Sequence, residues 1–117
     1  MGKARNILFV MCDQLRWDYL SCNGHPHLET PHIDGLAAKG VNFTRAFVQS
    51  PLCGPSRMSY LTGRYVHSHG ATWNGVPLSV GQRNIGDFLR LHGLRCALVG
   101  KTHMEPDAEG MGRLGVD

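Results

Sequence analysis

Three short apolar runs, separated by segments of helical period, leave this chain very few folds to choose from. Residues 6–12 (Asn-Ile-Leu-Phe-Val-Met-Cys) show no polar alternation, the mark of a strand covered on both faces. Residues 41–48, carrying Phe43 and Phe47, read as a second strand, and residues 94–99 as a third. Thr30 and Pro31 open a helix as N-cap and first residue, with Ile33, Leu36 and Ala37 on its apolar face and Gly40 at its end. Residues 84–92 read as another helix, with Ile85, Phe88 and Leu89 on one side and Gly93 as its stop. Strands alternating with helices predict an α/β fold, a mostly parallel sheet flanked by helices. A chain of 117 residues has room for one small domain at most.

In such sheets ligands bind beyond the carboxyl ends of the strands, and each apolar run is followed by a polar cluster. The first leads to Asp13-Gln14, the second to Cys53-Gly54-Pro55-Ser56-Arg57, and the third to Lys101-Thr102-His103. The topology therefore predicts that the three clusters meet on one rim. Asp13 directly follows a run expected to be buried, so its charge must be paired, hydrated, used to cap the next turn or bound to a metal. As an oxygen donor it suits a hard cation such as Ca²⁺, Mg²⁺ or Mn²⁺. In the second cluster, Pro55 suits the first helical position and Gly63 a left-handed stop, which predicts a helix over residues 56–62. Cys53 then lies just before a helix N-terminus, where free N–H groups favour an anion. Arg57, one turn in, carries a fork that grips two oxygens of a tetrahedral oxyanion. His103 can act as a general acid or base near neutrality.

Other readings fall away. The net charge of +3 is mild and its lysines and arginines are scattered, which excludes a nucleic-acid stripe or a polybasic membrane patch. Residues 7–12 are too few to span a bilayer, and they end in Asp13 with no cleavage site, so neither a membrane span nor a signal peptide is expected. Gly100-Lys101-Thr102 could close a phosphate-binding loop, but Arg95 stands where that loop needs glycine. His25-Pro26-His27 and His67-Ser68-His69 lack the helical spacing of a zinc pair, and Asp18 reads as a helix-start or loop carboxylate. Cys12 and Cys96 lie in apolar runs and read as buried thiols, with Cys22 in a loop. A reducing, cytoplasmic location is the expectation.

The run from Pro51 to Arg64 resembles the signature of the sulfatase family, Cys-x-Pro-Ser/Ala-Arg followed by a hydrophobic pair and Thr-Gly. One position departs, Tyr60 standing where an aliphatic residue is usual. The resemblance implies that Cys53 is converted by a formylglycine-generating enzyme into formylglycine, whose hydrated form is the nucleophile. Asp13 matches the family's metal aspartate after the first strand. Gln14 replaces the second aspartate of many arylsulfatases and matches phosphonate monoester hydrolases and choline sulfatases. Gly100-Lys101-Thr102-His103 looks like the family's Gly-Lys-x-His, in which Lys101 would bind the formylglycine hydroxyl and substrate oxygens and His103 would help release the ester or orient the leaving oxyanion. Asn74 matches an asparagine that contacts substrate in phosphonate monoester hydrolases, although a local turn role is equally open.

The resemblance thus implies catalytic Cys53, Arg57, Lys101 and His103, substrate-binding Gln14 and Asn74, and one divalent cation (Ca²⁺ or Mn²⁺, with Mg²⁺ admissible) held by Asp13 and the modified Cys53. It runs from Asn6 to the Gly110-Met111-Gly112 stretch, which implies the N-terminal part of a longer catalytic domain, with a homo-oligomer admissible at full length. The implied activity is hydrolysis of a small anionic sulfuric ester. Hydrolysis of a phosphonate monoester or phosphodiester is the alternative, and a fragment that binds an oxyanion without chemistry is the third reading.

Overall fold

The computed structural model describes residues 6–79 and 81–103, and the Gly110 stretch noted above lies outside them. The chain divides into two compact units, with the boundary between Ala46 and Phe47. No helix of the described residues is long and apolar enough to cross a membrane.

In the first unit, two short 3₁₀ turns, Trp17–Tyr19 and Ser21–Asn23, precede helix α1, Pro31–Lys39. Pro31 opens α1 and Gly40 follows it, as its sequence predicts, and Thr30 takes the N-cap position. The Thr30 hydroxyl makes no capping bond, however. It donates instead to Asp34 Oδ1 at 2.9 Å, while the Thr30 N–H donates to Ser21 Oγ at 2.7 Å. Asp34 also accepts from the Ser21 hydroxyl at 2.5 Å and from the Cys22 N–H at 3.0 Å. A carboxylate that collects three donors ties the turn to the helix, and charged acceptors make the stronger bonds. Of the expected apolar face, Ile33 and Ala37 are half-buried and Leu36 is exposed. Asp18 is a turn carboxylate in a two-point ion pair with Arg16, at 3.0 and 2.6 Å.

The second unit holds α2 (Cys53–Thr62), α3 (Val66–His69) and α4 (Ile85–Leu91). Helix α2 begins at Cys53 rather than at Pro55, because its first main-chain bond runs from the Ser56 N–H to the Leu52 carbonyl at 3.0 Å. Pro55 fits inside the first turn, where its missing N–H would have had no helical partner anyway. Gly63 ends α2 at φ 67°, its N–H returning to the Ser59 carbonyl, a left-handed geometry that glycine adopts without a Cβ penalty. Helix α4 has a full capping box: Asn84 accepts from the Gly86 N–H at 2.8 Å, and Asp87 accepts from the Asn84 N–H at 2.9 Å. Helix α2 contacts both α3 and α4, so the Cys53 motif is the centre of this unit.

Among the described residues no strand forms, and the three runs expected as strands are largely exposed, Ile7 at 84% and Val99 at 96%, with Met11 at 38% and Leu98 half-buried. A strand exists only by pairing with neighbours, and a doubly covered one needs layers above and below. The described residues supply neither. Cys12 is likewise exposed and Cys96 only half-buried, rather than core thiols, and all four cysteines are free.

Candidate active site

The site grows from the first turn of α2. Leu52, extended at φ −86° and ψ 138°, feeds Cys53 into the helix with its N–H groups pointing outward. Cys53 is half-buried. Opposite it, Trp73 to Val76 form a turn closed by the Val76 N–H on the Trp73 carbonyl at 3.2 Å. Gly75 supplies the positive φ of 88° that this turn requires, and Asn74 sits at its corner. The Asn74 Oδ1 accepts the Gly54 N–H at 2.9 Å, and its Nδ2 donates to Cys53 Sγ at 3.5 Å. The fit leaves no spare volume: a Cβ on Gly54 would stand 2.7 Å from Asn74 Oδ1. The Asn74 carboxamide therefore bonds to the helix bearing Cys53 rather than to its own turn.

Arg57 is 6% exposed. Its Nη1 donates to the Lys101 carbonyl at 2.5 Å, so the guanidinium joins the second polar cluster to the third. Lys101 itself is exposed. His103 follows in the left-handed region at φ 49°, where a residue with a Cβ costs about 1–3 kcal/mol. Its Nδ1 is buried and has no hydrogen-bond partner among the described residues. Asp13 and Gln14 belong to the first unit, with Gln14 also left-handed, at φ 56°. Among the described residues no three His, Cys, Asp or Glu side chains gather as a metal site.

Two residues of this unit were missed by sequence reasoning. Ser59 and His69 are both buried, and Ser59 Oγ lies 2.9 Å from His69 Nε2. His69 Nδ1 accepts the Ala71 N–H at 3.2 Å, so Nε2 carries the proton and donates to Ser59. Burial holds the His69 ring below its ordinary pKa, with His67 adding to the effect. The available signal was the helix stop at Gly63, which turns the chain back so that later residues can return to α2. Tyr60, the departure from the signature, is partly exposed; burial pushes its hydroxyl up, and Arg57 beside it pulls the other way.

Comparison with known proteins identifies a family. The family described as Sulfatase matches residues 5–117. The chain is 32% identical over 108 residues to an N-acetylglucosamine-6-O-sulfatase of Bacteroides thetaiotaomicron, covering 92% of this chain and 19% of that protein. It is 36% identical over 104 residues to an arylsulfatase of Clostridium perfringens, covering 87% and 21%. The crystal structure of the phosphonate monoester hydrolase of Agrobacterium radiobacter superposes with a TM-score of 0.76 at 39% identity, over 85% of this chain and 20% of that one. The chain therefore spans about a fifth of the length of the curated relatives it matches.

Proposed function

The chain belongs to the sulfatase family, and we propose that it acts, within the full catalytic domain, in the hydrolysis of sulfuric esters of the arylsulfatase kind. The observation that carries this reading is Cys53 in the first turn of α2, with Arg57 of the same helix bonded to the main chain of Lys101. A helix N-terminus at the reactive side chain, with an arginine one turn further along the same helix, suits a transferred group that carries negative charge. The formylglycine made from Cys53 by a formylglycine-generating enzyme supplies, when hydrated, the oxygen that attacks sulfur and the means to release sulfate with the aldehyde restored. A divalent cation (Ca²⁺ or Mn²⁺, with Mg²⁺ admissible), held in part by Asp13, would add positive charge at the transferred group. The described residues form no complete cage for it, so no step is assigned to it.

The roles of this chain's own groups follow from their chemistry. Arg57 and Lys101 neutralise charge that grows on the sulfuryl oxygens, and His103 holds or passes a proton near the leaving oxygen. Gln14 offers a neutral donor to those oxygens, and the Asn74 Nδ2, which meets Cys53 Sγ, carries a second N–H for them. Replacing Cys53 with serine in the full-length protein tests the reading. A serine ester cannot collapse to an aldehyde, so a sulfated adduct should accumulate on the Cys53→Ser protein, visible by intact mass after incubation with an aryl sulfate. Full turnover by that variant would sink the proposal. A second reading, hydrolysis of phosphonate monoesters or phosphodiesters, draws on the likeness to the Agrobacterium enzyme and on Gln14. A higher kcat/KM on a phenylphosphonate monoester than on an aryl sulfate would favour it.

A further inference from the structure

His69 lies outside every role assigned so far, yet it is 2% exposed and bonded on both ring nitrogens. Its Nε2 grips Ser59 in the second turn of α2, and its Nδ1 holds the N–H of Ala71, itself buried at 1% exposure. Three residues beyond Ala71, Asn74 closes on the first turn of the same helix through Gly54 and Cys53. Residues 69–74 are thus fastened to α2 at two points, His69 at Ser59 in the second turn and Asn74 at Cys53 and Gly54 in the first.

We propose that His69 is a positioning residue for Cys53, acting through the strap of residues 70–74. The imidazole fixes where the strap starts, the Trp73–Val76 turn fixes its corner, and the Asn74 carboxamide transmits that position to the Gly54 amide and the Cys53 sulfur. The physical reason for a histidine is the bond pair it makes. A donor and an acceptor about 2 Å apart on one rigid ring serve a helix hydroxyl and a strap amide together. Burial makes each bond costly to lose, because a stranded partner has no water to replace it. The consequence for catalysis rests on the role of Cys53 proposed above, but the coupling between His69 and Cys53 does not.

The test reads amide exchange and thiol reactivity in the full chain with Cys53 left as a thiol. In His69→Ala, the protection of the Ala71 amide and of the Gly54 amide should fall together, each by about tenfold. The Phe88 amide, bonded to Asn84 in α4, should hold its value and report that the unit remains folded. Alkylation of Cys53 by iodoacetamide, followed by peptide mapping, should rise in step with Gly54 exchange. His69→Asn, which can place an acceptor where Nδ1 stands, should restore both amides and the slow alkylation. Loss of Ala71 protection with Gly54 and Cys53 unchanged would overturn the proposal. If His69→Ala does not fold, the comparison of His69→Asn with His69→Gln decides it: the Gln side chain reaches toward Ser59 and offers nothing at Nδ1, so Gly54 must again follow Ala71. Failure of ester hydrolysis with this coupling intact would count against the proposed function instead.

Discussion

The two units of the chain solve one problem, tying a loop to a helix, with opposite chemistry. In the first, the ionised carboxylate of Asp34 collects Ser21, Cys22 and Thr30. In the second, a neutral imidazole and a neutral carboxamide hold α2 through Ser59 and Gly54. The choice has a consequence for the reaction. A carboxylate in the place of Asn74 would repel an anionic ester from Cys53, whereas neutral groups leave the local field to Arg57 and Lys101. The knot of the first unit uses the stronger, charged bond. The buried set of the second unit is correspondingly mixed, with Arg57, Ser59, His69 and Asn84 beside Met58 and Ala71, so the unit relies on polar bonds for much of its definition.

The contrast is most sharply tested at its packing. Met58→Ala, at a 2% exposed position on α2, should cost about 2–5 kcal/mol by lost transfer and cavity. Leu36→Ala in α1, at 72% exposure, should stay within about 0.5 kcal/mol. Denaturant titration of both variants measures the gap, and equal midpoint shifts would show that the two units do not differ in this way. Glycine comes next. Gly54→Ala drives a methyl to 2.7 Å from Asn74 Oδ1, and relieving that overlap should cost about 1–3 kcal/mol. Gly35→Ala lies in α1 with nothing within 4 Å, so it should stabilise by about 0.5–1 kcal/mol. The same substitution thus carries opposite signs in the two helices, and thermal midpoints read the signs directly.

Charge gives a smaller effect. Asn74→Asp keeps an acceptor for the Gly54 N–H but sets a negative charge beside Cys53. In the full-length enzyme it should raise KM for an aryl sulfate by roughly tenfold, with less change in kcat, on a simple Coulomb estimate at an exposed site. An unchanged KM would mean that neutrality at this position is incidental.

Helices α1, α2 and α4 were readable in the sequence because their signals are local, whereas the single turn α3 was not read. Pro31 and Gly40 bound α1, Gly63 stops α2, and Asn84 with Asp87 caps α4, each through atoms no more than a few residues apart. The signature residues were readable for the same reason, as the spacing from Cys53 to Arg57 is one helical turn. The strands were read from apolar content, which reports what a segment would gain by burial, and the described residues do not supply the partners that pairing needs. His69 was missed because its value lies in Ser59 and Ala71, reached only after the chain turns at Gly63. Asn74 was found as a site residue, but its bond to Gly54 depends on a 20-residue return that no local pattern encodes.

Acid supplies the mildest way to separate the units, and its direction follows from the two shifted groups. Burial holds His69 below 6.5, its value in an unfolded chain, so as pH falls below that point the unfolded state takes up a proton before the folded state does. The His69 contribution is therefore fully present above 6.5 and declines as pH drops toward the lower folded value. Asp34 behaves in the opposite sense. Hydrogen bonds led by Ser21 hold it below 3.8, so its contribution is fully present above 3.8 and is lost only as pH falls through the folded value beneath that. Between about pH 6 and pH 4, after correction for intrinsic exchange rates, the Ala71 and Gly54 amides should lose protection while the Cys22 and Thr30 amides keep theirs. His69→Asn should abolish the first change and leave the second unit's protection flat across that range. Parallel loss in both units, or a persisting acid response in His69→Asn, would show that the neutral clasp is not what makes the second unit yield to acid.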